Sequence, residues 1–209
     1  MKSVLCYGDS NTWGRNPIDE SRYARDDRWP VVLQKELGAD YDVISEGMPG
    51  RTTVWTDSVE GHMSGLDYLG PCLNTHQPID LVILFLGTND LKFRFGVTAF
   101  DIAEGIRLLV KLILNSETGP DSNSPRVLIL IPPPLGKLTE FVDLFSGGVV
   151  KSKQLSREYK RVADNMACPS LDLSEYIVAS DIDGVHFDAE AHHKIGQVVA
   201  QKVEKVLAK

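Results

Sequence analysis

Cysteine is scarce in this chain, with 3 in 209 residues, and Cys6, Cys72 and Cys168 are widely spaced. An odd and scattered set forms no metal-ligand pair and no disulfide framework, so the three are read as reduced, mostly buried thiols. No apolar run is long enough to span a bilayer, which argues against a membrane protein. Positive charge is also in deficit: the formal net charge is −7. Nucleic-acid binding needs a basic stripe, so a nucleic-acid partner is not expected. No block of like charge stands out, since Arg22 to Arg28 mixes both signs and reads as a solvated loop leading into a helix. The start, Met1-Lys2-Ser3-Val4-Leu5, enters the first strand without a signal-peptide core, and a cytoplasmic location is expected. Internal repeats and linker-like stretches are missing as well.

What remains is ordinary globular composition, 43% hydrophobic and 24% charged. One domain spanning residues 1–209 is expected, long enough to bury a core without metals or crosslinks. Strand-like and helix-like segments alternate throughout. Short apolar runs lie at Val4 to Tyr7, Tyr41 to Ser45, Leu81 to Leu86 and Val127 to Ile131, with a weaker one at Leu171 to Leu173. Leu81 to Leu86 shows no alternation, as a strand covered on both faces should not. Helical stripes fall at Trp29, Val32, Leu33 and Leu37 (capped by Asp27, stopped by Gly38) and at Phe100, Ala103, Ile106, Val110 and Ile113 (capped by Thr98). Two more run through Leu155, Tyr159, Val162 and Met166, and through Ile195, Val199, Val203 and Val206. This alternation predicts an α/β fold with a parallel five-stranded sheet between helical layers. Arg51 to about Leu66 and Pro132 to about Val149 interrupt the pattern and are expected to be lids or pocket walls. Asn115 to Pro125 reads as a plain surface loop.

Unusual polar residues follow the strands. Asp9 and Ser10 come after the first, Gly47 to Thr53 after the second, Gly87 to Asp90 after the third, and Asp183 to His186 after the fifth. Parallel sheets bind ligands at this carboxyl edge, so four loops converge on one site. A serine hydroxyl needs a base, and the base needs a third group to hold its tautomer. Ser10, His186 and Asp183 supply nucleophile, general base and orienting carboxylate. The oxyanion donors on offer are the Ser10 N–H, the Gly50 N–H and the Asn89 amide, with Gly47 an alternative to Gly50.

Gly8-Asp9-Ser10, a glycine in the next loop, Gly87-Thr88-Asn89-Asp90 and Asp183-x-x-His186 resemble the four blocks of the SGNH (GDSL-type) hydrolases, in that family's order, across residues 5 to about 190. Tyr7 to Gly14, Gly50-Arg51-Thr52-Thr53 and Leu86 to Asp90 are similar to the small bacterial arylesterase and acyltransferase group. The resemblance implies a flavodoxin-like three-layer α/β/α fold, with the strand order 2-1-3-4-5. It also implies ester hydrolysis through an acyl-serine, short acyl or aryl substrates, acyl transfer to alcohols, no cofactor or metal, and a homo-oligomer. It carries the oxyanion roles to Ser10, Gly50 and Asn89. Asn11 departs from the pattern, where leucine is commoner, and bears on acyl-chain preference rather than mechanism.

Asn11 and Trp13 are the substrate-contact candidates, with Trp55 a further aromatic in a site loop. Phe141 and Phe145 are candidates for pocket wall or subunit contact. Asp9 and Asp90 read as loop-formers, His192 and His193 as polar-face residues of the last helix, and His62 and His76 as loop residues facing solvent, with His62 also a pocket candidate. Lys92 and Arg94 could meet an anionic substrate group, although a solvated loop is the better explanation of both. Carbohydrate acetyl esters are an alternative substrate class. A receiver-type phosphoacceptor using Asp9 and Asp90 is a reading from a different class, weakened by a single carboxylate after the first strand and no lysine after the fifth. An α/β-hydrolase is set aside, because its serine belongs on a mid-chain Gly-x-Ser-x-Gly elbow.

Overall fold

The computed structural model describes residues 1–61 and 64–208; His62 lies outside the described residues. Five parallel strands, β1 (Lys2–Gly8), β2 (Tyr41–Gly47), β3 (Leu81–Phe85), β4 (Arg126–Ile131) and β5 (Ser170–Asp172), form one sheet in the order β2-β1-β3-β4-β5. This is the expected α/β topology, with β1 between β2 and β3. The fifth strand is offset by one residue from its sequence reading, because Leu173 already begins a short 3₁₀ turn.

Helices α1 (Ser10–Trp13), α2 (Trp29–Leu37), α3 (Gly65–His76), α4 (Ala99–Leu114), α5 (Gly148–Ser152), α6 (Leu155–Asn165) and α7 (Ala189–Leu207) complete the chain. One face of the sheet packs against α3, α4 and α6 through Leu5, Tyr7, Val82, Leu84, Val127 and Ile129. The other packs against α2 and α7 through Val4, Cys6, Leu81, Ile83, Phe85, Leu128 and Leu130. Successive side chains of a strand point to opposite faces, so a strand covered on both must be apolar throughout. Each fully buried Leu, Ile or Val contributes about 1.5–3 kcal/mol.

Caps fix where several helices begin. Thr98 caps α4 as expected, and Asp101 completes a capping box with it. Ser64 caps α3 and Asp188 caps α7. At α2 the cap position is Arg28, with Asp27 in the preceding 3₁₀ turn, while Gly38 ends the helix as expected.

Four expectations need correction. Helix α3 was not foreseen: Gly65, Gly70 and an internal Pro71 mask its periodicity. His76 is therefore the last residue of a helix and only partly exposed, rather than a loop residue. Phe100, assigned to the apolar stripe of α4, is exposed, and the Arg161 guanidinium lies over its ring. His192 is fully buried, wedged edge-on against Tyr23 and Phe187, while His193 faces outward to Asp27 at 3.1 Å.

Candidate active site

The chain leaves β1 at Gly8 and turns sharply into α1. Asp9 makes the turn: its Oδ1 accepts from the Asn11 N–H at 2.9 Å and caps the short helix. Ser10 is thus the first residue of α1, at the carboxyl edge of the strand next to the sheet's own switch in order. Gly47, at the end of β2, lies against this turn so tightly that a Cβ there would sit 2.2 Å from the Trp13 nitrogen. Gly47 therefore packs the serine turn, whereas Gly50 lines the cavity in front of it.

From the far end of the chain, residues 183–186 bring in the imidazole. Ser10 Oγ lies 3.0 Å from His186 Nε2, and His186 Nδ1 lies 2.5 Å from Asp183 Oδ2. The other Asp183 oxygen accepts from the backbone N–H groups of Val185 and His186 at 2.8 and 2.9 Å. Burial by itself would raise the Asp183 carboxyl; the hydrogen bonds from the His186 ring and the Val185 N–H outweigh it and hold the group below its usual range. Residues 136–139 brace this loop from outside: Gly136 N–H donates to Gly184 O at 2.8 Å, and Thr139 Oγ1 donates to Ile182 O at 2.6 Å.

The loop after β3 supplies the third side. Asn89 Nδ2 donates to Arg51 O at 3.1 Å, which holds the amide beside the serine. Asp90 accepts from the Thr53 N–H at 3.0 Å and from the Thr53 hydroxyl, tying the loops after β2 and β3 together. Burial pushes the Asp90 carboxyl up to about 6 against those bonds, and pushes Asp9 up to about 7 against its bond from Asn11, with Asp90 adding to the rise. Both aspartates are buried, with 1% and 0% exposure. A phosphoacceptor has to be reachable, so this burial opposes the receiver-type reading.

Ser10, Gly50, Asn89 and His186 all line one cavity of about 220 Å³, with Arg15, Pro49, Glu60, Lys92, Phe141, Leu144, Phe145 and Val185 completing the wall. Phe141 packs edge-on to the His186 ring at 6.2 Å, so the excursion after β4 is a pocket wall as anticipated. Lys92 reaches the cavity but is buried and ion-paired with Asp57 and Glu60, and Arg94 pairs with the same two acids. Trp13, Trp55 and Asn11 are not among the lining residues. The Trp13 ring lies under the Arg22 guanidinium at 5.0 Å. Asn11 is buried and reaches toward Val185 O at 3.5 Å, bridging the serine and histidine loops behind the cavity. A larger hollow of about 1190 Å³ lies where β4 and β5 begin, lined by Arg126, Val127, Cys168 and Pro169 among others; the Cys168 thiol there donates to Met166 O at 3.4 Å.

One important contributor was not singled out beforehand. Arg51 is 2% exposed, and its Nη1 donates to Gly8 O at 2.9 Å and to Glu46 O, while its guanidinium lies 4.2 Å from the Tyr7 ring centroid. It fastens the loop carrying Gly50 to the end of the serine strand. The only sequence signal for it is an arginine inside the Gly-Arg-Thr-Thr stretch.

The model of the GDSL-like lipase/acylhydrolase family matches residues 6–194. An aryl esterase from M. smegmatis is 40% identical, with 98% of this chain and 99% of that one covered at a TM-score of 0.94. A carbohydrate acetylesterase from Sinorhizobium meliloti, Est24, is 39% identical over 99% of this chain and 100% of its own at 0.94. A carbohydrate acetylesterase family member from Sinorhizobium meliloti is 40% identical over the whole of both chains at 0.95. No curated protein matches the sequence.

Proposed function

This chain belongs to the GDSL-like lipase/acylhydrolase family, and on that premise we propose that it is a serine esterase of small, short-chain acyl or aryl esters whose nucleophile is Ser10. Residues 1–209 act as one catalytic domain. His186 Nε2 takes the Ser10 proton as Oγ attacks the acyl carbon, and Asp183 steadies the imidazolium through Nδ1. The oxyanion is held by the N–H groups of Ser10 and Gly50 and the Asn89 amide. His186 then protonates the departing alkoxide, and water, activated by the same imidazole, releases the acid. No cofactor enters these steps. The acyl-serine is equally open to an alcohol in place of water, which makes acyl transfer part of the reading.

The Ser10–His186–Asp183 relay at 3.0 and 2.5 Å, opening onto a small cavity, is the observation that supports this most. The cavity volume favours acetyl-sized acyl groups, with acetylated carbohydrates and aryl acetates both within the class. Val59, Phe93 and Val142 are exposed and next in sequence to cavity residues, and a homo-oligomer that covers such side chains is part of the reading. The cytoplasm, a reducing compartment, suits the three unpaired thiols.

Turnover of p-nitrophenyl acetate, butyrate and octanoate by the wild type and by Ser10→Ala tests the reading. The wild-type rate should fall with chain length, and the substitution should lower kcat by on the order of 10⁶. Equal rates in the two proteins would refute it. Comparing phenyl acetate with an acetylated xylo-oligosaccharide then separates the two substrate classes.

A further inference from the structure

We propose that Glu46, Cys72 and His76, none of which lines the substrate cavity, form a binding site for a divalent transition-metal ion, zinc in particular. The three ligand atoms, a carboxylate oxygen, Sγ and an imidazole nitrogen, all lie within 4.8 Å of one another. The fold brings them together for clear reasons. Cys72 and His76 are four residues apart on α3, hence on one face of the helix. Glu46 pairs with Tyr7 in the parallel register of β1 and β2, and Tyr7 belongs to the face of the sheet that α3 covers. Glu46 Oε1 and His76 Nε2 already meet at 2.8 Å.

The donor set fits the ion. Thiolate, imidazole and carboxylate are all zinc ligands, and three of them leave a fourth tetrahedral position for water. Thiolate and carboxylate neutralise a divalent charge, with the imidazole neutral. Cys72 is fully buried, while the Glu46 and His76 side chains are 22% and 23% exposed, so the ion has a way in from solvent. His76 stands in the last turn of α3, where the helix dipole favours a cation. Zinc–ligand lengths of about 2.0–2.3 Å require tetrahedral ligands to sit roughly 3.3–3.8 Å apart. The carboxylate–imidazole pair must therefore open by about half an ångström, a side-chain adjustment at a partly exposed site. Arg51 is close by but directs Nη1 to the carbonyls of Gly8 and Glu46.

Without metal the Cys72 thiol is protonated, pushed up to about 12 by burial and the Glu46 charge against Arg51. Coordination replaces that S–H by an S–metal bond and releases one proton to solvent. The cysteines do lack a second cysteine partner, as their spacing indicates; the partners are a histidine on the same helix and a carboxylate from the neighbouring strand. The bound ion would pin the end of β2 to α3, just ahead of the Gly50 loop, and this inference does not depend on the esterase reading.

The test is titration of the reduced, metal-stripped full chain with Zn²⁺ by calorimetry and with Co²⁺ by absorption. One ion per chain is expected, with a thiolate-to-cobalt charge-transfer band and the intense visible bands of four-coordination. Proton release should accompany binding. Loss of a supporting residue around a metal typically costs about 10–100-fold in affinity, so losing a ligand should cost at least about 100-fold in Cys72→Ser and in His76→Gln. Should Cys72→Ser fail to fold, His76→Gln and Glu46→Gln at partly exposed positions decide the question. Absence of saturable binding by the folded wild type, or unchanged affinity in the variants, would overturn the proposal.

Discussion

Asn89 gives one amide hydrogen to the main-chain oxygen of Arg51 at 3.1 Å, so the residue after the cavity glycine orients the side chain that faces the serine across it. In the proposed mechanism the second amide hydrogen serves the oxyanion. Asn89→Ala should lower kcat by roughly 10²–10³-fold with little change in KM, as loss of one oxyanion donor does. Steady-state kinetics on p-nitrophenyl acetate check it; a rise in KM alone would assign Asn89 to ground-state binding.

Gly184 holds a positive φ of 76°, and a Cβ there would meet the Lys137 carbonyl oxygen at 2.6 Å. In the left-handed region an L side chain costs about 1–2 kcal/mol, before any clash. Gly184→Ala should lower thermal stability by that order and activity much further, because the relief pulls His186 and Asp183 off the serine. Melting temperature and kcat measured together test this, and an activity loss no larger than the stability loss predicts would count against it.

Phe141 and Leu144 form the apolar wall beside His186. Phe141→Ala deepens the cavity. A hydrophobic pocket discriminates one methylene by about 10–200-fold, so the octanoate-to-acetate ratio of kcat/KM should rise by about tenfold or more. An unchanged ratio would place chain-length selection elsewhere.

Buried His192 has no hydrogen-bond partner on either ring nitrogen among the described residues, and burial lowers its pKa from 6.5 to about 4. The folded protein holds the ring neutral while the unfolded chain takes up a proton below about 6.5, so stability falls as pH drops from there toward about 4. At about 1.4 kcal/mol per unit the loss is about 3 kcal/mol. His192→Phe keeps the contacts with Tyr23 and Phe187 and removes the titration. Urea midpoints at neutral and acid pH should show the variant losing less stability on acidification; parallel losses would place the acid sensitivity in other groups.

Much of the fold was written in local pattern. Unbroken apolar runs at β1, β3 and β4 reveal strands covered on both faces, and Thr98 announces α4. Helix α3 was not legible, because glycines and Pro71 dilute a signal that tertiary packing of Leu69, Cys72 and Leu73 restores. The site divides in the same way. Ser10 and Asn89 stand in compact motifs just after β1 and β3, Asp183 and His186 in a compact Asp-x-x-His farther past β5, and the structure brings them together. The cavity wall comes instead from residues 141–145, a stretch without periodicity, whose position is set by long-range contacts with the histidine loop rather than by its own sequence. Trp13 illustrates the limit: proximity to Ser10 along the chain does not place its ring in the cavity, since α1 turns it outward onto Arg22.

Ser10 and His186 are 176 positions apart, and α7, which follows the histidine directly, packs on α2 across one face of the sheet. If Ser10 is the nucleophile, its hydroxyl gains its base only after the strands and helices between the two residues have been made and folded. Fragments lacking residues 183–209 should be silent in the ester assay. On the proposed mechanism such latency would come from topology, and turnover would report that the two ends of the fold have met.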